Sequence, residues 1–282
     1  MAAGKILPTF FLALFLSFLA VLVTFAIRAQ TLCRRSILVQ DIEQSLSDAK
    51  GGLSGLWPTS TKRSDFLALL SDTHLQQARR LPRFTKHGCL LVKLPRELKS
   101  ALIDDYRKRR WQTPASPEPE AALVEFSSED QAPLLTWVAG SAPERKLRGW
   151  LRVALARWSG LSELEHTATY GVRTYRKGSK LTPHTDRFMT HVVSAIVHIE
   201  RTGLGAEGDW PLHVLPHDAP FVFEARLGGE QGPDCLFYES CTVPHGRLTA
   251  LQDEEYSNIF FHYMPPGWGK QARDRMGEET SQ

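Results

Sequence analysis

The decapeptide GSKLTPHTDR, residues 178–187, sets a histidine and an aspartate two apart, at His184 and Asp186. At a strand end, residues i and i+2 point to the same side, so this triplet can offer an imidazole and a carboxylate to one metal ion. A non-haem iron(II) centre that activates oxygen takes two neutral imidazoles and one carboxylate on one face and leaves the other face open. The third ligand must then come from a distant strand folded across the first. Of the ten histidines, His245 in YESCTVPHGR is the best placed. It follows a β-rich run, sits in a Pro-His-Gly turn, and lies 61 residues beyond His184. His213 and His262 fall inside expected strands, and His217 in the turn LPHDAP reads as solvated. His198-Ile199-Glu200 is a second triplet able to bind metal. It ends the apolar run HVVSAIVHIE, where it reads as a strand terminus reaching solvent, and His191 at the other end reads the same way.

The elements that must position these residues are legible as texture. From about residue 167 the chain breaks into short β-rich runs: TATYGVRTY, HVVSAIVHI, PLHVL, APFVFEA, CLFYES and YSNIFFHYM. No helical pattern separates them, which predicts an all-β sandwich or barrel rather than a parallel α/β sheet. Upstream, Leu98, Ala101, Leu102 and Tyr106 recur at helical spacing, as do Leu147, Trp150, Leu151, Ala154 and Trp158 before Gly160. Both stripes are expected to pack against the sheet. The Pro-rich, acidic stretch WQTPASPEPEAALVEFSSEDQAP between them reads as a long surface loop covering a site.

Composition narrows the function class. The chain has 282 residues, of which 42% are hydrophobic and 23% charged, with a net charge of +3. This suits a sizeable folded domain, and the scattered Lys and Arg argue against nucleic acid as a partner. Four irregularly spaced cysteines form no CxxC pair; Cys235 and Cys241 could be a disulfide or two buried thiols. From Ile6 to Ile27 there is no charged residue. A helix of that length crosses a hydrocarbon core of roughly 30 Å; the rival reading is a cleaved signal peptide with a small-residue site near Thr24 to Ala29, although its apolar region is normally shorter. The expectation is a single-pass anchor in the endoplasmic reticulum or another secretory-pathway membrane.

In this order, YGVRTYRKGSKLTPHTDR, DWPLHV, CLFYESCTVPHGR and YSNIFFHYMPPGW resemble the catalytic domain of 2-oxoglutarate- and iron(II)-dependent dioxygenases, the prolyl 4-hydroxylase-like group above all. The resemblance covers about residues 165–268. It implies a mainly β (α+β) protein with flanking helices and a double-stranded β-helix (jelly-roll) core. Composition and pattern divide the rest: an anchor over 1–30, a stalk over 31–62, a helical supporting region over 63–164 and a charged tail over 269–282 flank the dioxygenase domain that the resemblance places over 165–268. His184, Asp186 and His245 become the iron ligands, and Fe(II) and 2-oxoglutarate the cofactor and co-substrate, with ascorbate a candidate reductant. Decarboxylation of 2-oxoglutarate to succinate and CO2 would accompany hydroxylation of an unactivated C–H bond. Tyr175 matches a tyrosine that commonly contacts 2-oxoglutarate in this family.

One position departs from the pattern. Where prolyl 4-hydroxylases carry a lysine for the far carboxylate of 2-oxoglutarate, this chain has Glu255, and two carboxylates cannot pair at neutral pH. Strand alternation offers Arg247, two beyond His245, or Arg173, two before Tyr175, either of which could grip a carboxylate bidentately. Arg187, next to Asp186, would orient that aspartate or meet substrate. The substrate is expected to be a protein or peptide side chain such as proline. The alternatives are a lipid or small-molecule hydroxylase, or a β-helix module that binds without turnover.

Overall fold

The computed structural model describes residues 39–49, 53–118, 121, 123–203, 210–228 and 232–277. The expected anchor over 6–27 lies outside them; among the described residues no helix is long and apolar enough to cross a membrane. The chain divides into two compact units, Met1–Gln44 and Ser45–Gln282. A helix, α1, runs over 39–48. In the second unit come β1 (Trp57–Lys62), α2 (Arg63–Leu67), α3 (Asp72–Arg80), β2 (Cys89–Val92), α4 (Arg96–Gln112), β3 (Ser116–Pro117), β4 (Val124–Glu125), β5 (Leu134–Thr136) and α5 (Ala142–Ser159). The β-rich part follows, with β6 (Glu165–Ala168), β7 (Val172–Arg176), β8 (Lys180–His184), β9 (Val193–Thr202) and β10 (Leu212–Val214). It continues through β11 (Phe221–Ala225), β12 (Cys235–Tyr238), β13 (His245–Arg247) and β14 (Glu255–Met264), and α6 (Trp268–Met276) closes the described chain.

The strands form a six-stranded sheet, β1-β11-β10-β13-β8-β4, and an eight-stranded one, β2-β12-β9-β14-β7-β5-β3 with β6 on β14. From β7 to β14 the chain crosses between the sheets again and again, which makes a double-stranded β-helix, a jelly-roll-like core. Side chains of both sheets meet in one cluster that includes Tyr175, Leu181, Ile196, Leu212, Val214, Leu236, Tyr238 and Tyr256. Burying such side chains stabilises the fold by about 1.5–3 kcal/mol each.

The helices flank this core for legible reasons. Ser141 caps α5 by accepting from Glu144 N at 3.3 Å, and Gly160 ends it in the left-handed region at φ 71°. The buried stripe is Leu147, Trp150, Leu151, Ala154 and Leu155. In α4 the buried face is narrower than expected, only Leu102 and Tyr106.

Two expectations need correction. The stalk over 31–62 ends in β1, an edge strand of the six-stranded sheet paired with β11. Its Pro58 disguised it, yet proline is tolerated on an edge. The supporting region over 63–164 is not only helical: β2 joins the large sheet beside β12, β5 extends it beside β7, and β4 pairs β8. The expected tail is helical through Met276.

Histidines expected at solvent are inside. His191, His198 and His217 are all buried, and so is the free thiol of each of Cys89, Cys235 and Cys241. His198 packs 4.9 Å from the Tyr256 ring, and its Nδ1 has no partner. Burial first, then the charges of Lys99, Arg247 and Arg201, push its pKa down to about 3. It therefore stays neutral in the folded protein while the unfolded chain protonates near 6.5. The stability this neutral histidine contributes is whole above about pH 6.5 and is lost as pH falls toward 3, by up to about 1.4 kcal/mol per pH unit. Urea unfolding of wild type and His198→Leu at pH 7 and pH 5 should show a flatter pH dependence in the variant; equal slopes would remove His198 as a source of acid sensitivity.

Candidate metal centre

β8 and β13 run antiparallel with His184 and His245 as Cα partners. That register sets the two imidazoles side by side, with ring centroids 4.3 Å apart. Asp186, two residues past the strand end of β8, turns its Oδ1 to within 3.5 Å of His184 Nε2 and 3.7 Å of His245 Nε2. The three ligand atoms lie within 4.8 Å of one another. Each histidine uses Nδ1 on the carbonyl two residues earlier, Thr182 O at 2.8 Å and Val243 O at 2.9 Å. Nδ1 therefore carries the proton and donates it to the carbonyl, which leaves the Nε2 lone pairs for a metal. Two neutral imidazoles and a carboxylate fit Fe(II).

Surroundings hold these groups ready. The Tyr238 hydroxyl donates to Asp186 Oδ2 at 3.2 Å, freeing Oδ1 for the metal. His262 Nδ1 lies 3.8 Å from the same Oδ2 and bonds Ser194 Oγ at 2.8 Å. Burial pushes the Asp186 carboxyl up. The neighbouring His184, then His245 and His262, outweigh this and hold it well below the usual carboxylate range. Burial, then the neighbouring His184, push His245 down to about 4, so its imidazole is neutral at physiological pH. Burial and the Asp186 charge raise Tyr238 well above its ordinary value, which keeps it a donor.

The loop that delivers His245 is fixed by Glu239, which is fully buried. Its carboxylate accepts from Phe84 N, Thr85 N, Thr85 Oγ1 and His217 Nε2, at 2.7–3.2 Å. Between His245 and Arg247, Gly246 lets β13 and β8 approach closely; a Cβ there would meet Leu181 O at 2.8 Å and Pro183 Cα at 2.9 Å.

The triad opens into a cavity of about 1040 Å³. Arg247, Arg173, Tyr175 and Arg187 all line it. Their situations differ. Arg247 is 1% exposed, one nitrogen donates to Trp210 O, and Nη2 has no partner. Its guanidinium lies over the rings of Trp210 (4.2 Å) and Tyr256 (4.6 Å). Arg173, by contrast, is held bidentately by Glu118 at 2.7 and 3.2 Å. Tyr175 is fully buried, edge-on to Trp210 at 5.0 Å. Glu255 does not line the cavity: Arg110 grips both its oxygens at 2.7 Å from outside the sheet core. Glu200 of the second triplet pairs with Arg107 at 2.8 Å, so His198-Ile199-Glu200 is no second ligand set.

His184, Asp186 and His245 come together as the sequence predicts. The residues that order them are less legible: Tyr238, Ser194 and His262 lie inside expected strands. For His262 a signal existed: it alternates with Asn258 and Phe260 along β14, and all three line the cavity. Asn258 is 1% exposed and its Oδ1 has no partner.

No family model matches this sequence, and no curated protein matches it. Among solved structures, it is similar to a Pseudomonas putida prolyl-4-hydroxylase at 19% identity and TM-score 0.48, covering 68% of this chain and 100% of that one. A prolyl hydroxylase from Trichoplax adhaerens, in complex with a hypoxia inducible factor oxygen degradation domain peptide fragment, aligns at 14% identity and TM-score 0.49, covering 75% and 97%. HygX from Streptomyces hygroscopicus, with nickel, 2-oxoglutarate and hygromycin B bound, aligns at 12% identity and TM-score 0.45, covering 65% and 85%.

Anaerobic equilibrium dialysis with Fe(II) checks the centre. Asp186→Ala and His245→Ala should retain no iron, and Tyr238→Phe, which loses only the hydroxyl, should bind about tenfold more weakly. Full retention in Asp186→Ala would exclude the triad.

Proposed function

We propose that this protein is an Fe(II)- and 2-oxoglutarate-dependent dioxygenase hydroxylating an unactivated C–H bond on a protein or peptide side chain, such as that of proline. One observation carries the reading: a two-histidine, one-aspartate triad shares its cavity with a buried arginine whose Nη2 has no partner. An orphaned buried donor calls for an explanation, and a cationic one on the cavity wall suits an anionic ligand. Iron bound at the triad, with 2-oxoglutarate, would supply the oxygen chemistry.

The chain's own residues do the rest. Arg247, stacked on two aromatic rings and paired with no acid among the described residues, would face the far carboxylate of the co-substrate. Tyr175 lines that end, with Trp210 packed behind it and against Arg247, and their apolar surface strengthens an ionic contact there. Tyr238 keeps Asp186 aligned. Arg173 is spent on Glu118 and serves the wall. The pairing of Glu255 with Arg110 takes away the main reason to read the domain as a module without turnover.

Exposed Trp137 and Tyr170 rim the opening, with Arg187 beside them. The Asn258 carboxamide, a donor and an acceptor together, complements a peptide amide. These features favour a peptide over a lipid. The uncharged run over 6–27 supports an enzyme held at a secretory-pathway membrane. The full chain should then stay with the membrane pellet through alkaline carbonate extraction, and release into the supernatant would count against an anchor.

The decisive experiment titrates 2-oxoglutarate into anaerobic Fe(II)-loaded protein and follows the weak visible charge-transfer band of the chelate. The band should saturate. In Arg247→Ala the apparent Kd should rise by about 30-fold or more, the consequence of losing about 2 kcal/mol or more of charge-assisted pairing. Iron binding without a band would favour the binding module, and an unchanged Kd in the variant would transfer the carboxylate contact to another residue.

A further inference from the structure

The turn after β8 that presents Asp186 has no sheet ladder to fix its main chain. Its polar backbone groups, Thr185 N, Asp186 N and Asp186 O among them, must find partners outside a ladder. Asp186 N donates to Ser240 O at 2.8 Å. The other two are taken by side chains of one short helix far upstream. Thr185 N donates to His74 Nδ1 at 3.4 Å, and Asp186 O accepts from Gln77 Nε2 at 2.7 Å. His74 Nδ1 also meets Thr185 Oγ1 at 3.1 Å. His74 and Gln77 stand three apart on α3, hence on one helix face, and both line the cavity. Gln77 is 3% exposed on a helix whose other side chains are exposed or half-buried. A buried glutamine on so polar a helix is kept by its hydrogen bond rather than by apolar packing.

We propose that His74 and Gln77 are positioning residues of the metal centre, a clamp that holds the Thr185–Asp186 backbone so that the Asp186 carboxylate meets His184 and His245 without rearrangement. The clamp rests on the metal reading of the triad but not on the identity of any substrate. Because Nδ1 accepts from an N–H, the imidazole proton sits on Nε2, on a ring 6.2 Å from that of His184. A clamped turn loses little freedom when metal binds; a free one must be ordered at the cost of affinity.

The test uses the full chain and Co(II) alone, reading both the dissociation constant and the visible ligand-field spectrum that reports coordination geometry. Gln77→Met keeps the volume and removes the donor. His74→Leu removes the acceptor, whereas His74→Asn restores one at the δ position. Gln77→Met and His74→Leu should each weaken Co(II) about tenfold or more and alter the spectrum, with thermal midpoints of the metal-free proteins close to wild type. His74→Asn should recover most of the lost affinity. Wild-type affinity and spectrum in both Gln77→Met and His74→Leu would overturn the clamp, as would His74→Asn falling as far as His74→Leu. Failure of the wild type to take Co(II) would instead reject the metal centre itself. Should Gln77→Met fail to fold, the comparison of His74→Leu with His74→Asn decides alone.

Discussion

Everything at this site depends on one antiparallel pairing, β13 against β8. It brings two imidazoles 61 residues apart in the chain to a centroid distance of 4.3 Å. A slip of one residue would turn one imidazole to the opposite face of the sheet and destroy the ligand set. The register is therefore guarded from several sides. Gly246 lets the strands approach, and Glu239 pins the loop entering β13 with four hydrogen bonds. β9, β12 and β14 of the opposite sheet supply Ser194, Tyr238 and His262 from above.

The polar interior follows from that arrangement. A buried carboxylate is costly unless it is paired and hydrogen-bonded. Asp186 meets that condition through the Tyr238 hydroxyl on Oδ2, and its Oδ1 stands ready for the cation the triad would hold. Arg247 does not meet it fully. Its stacking over Trp210 and Tyr256 offsets part of the desolvation, and the unsatisfied Nη2 marks where the protein alone leaves the interaction incomplete.

How far this was legible from sequence depended on whether a signal was local. The β-rich runs were readable because β-branched and aromatic residues cluster between turns, and each expected run overlaps an observed strand. His184 and Asp186 were readable because two-residue spacing fixes their common side, and His245 because of its turn and motif order. What decides burial at His191, His198 and His217 is non-local. His217, for example, is inside because Glu239, 22 residues on, accepts its hydrogen bond, and nothing in LPHDAP announces that. The same holds for α3, whose DTHLQQARR reads as a solvated helix until the fold lays it against the Asp186 turn. β1 hid behind Pro58, and only its place at a sheet edge makes a proline there compatible with a strand.

Gly246 has a consequence beyond strand approach. His245 and Arg247 flank it on the same three-residue strand, so the main-chain interval between them is about two strand residues, roughly 7 Å. With main chain pressed against Leu181 O and Pro183 on the other side, that interval cannot stretch or shrink by side-chain repacking. On the reading proposed above, β13 is a ruler cut to a single length of dicarboxylic acid. Homologues one carbon shorter or longer would reach the iron or the guanidinium but not both, and selectivity for chain length would be written in the backbone rather than in the shape of a pocket.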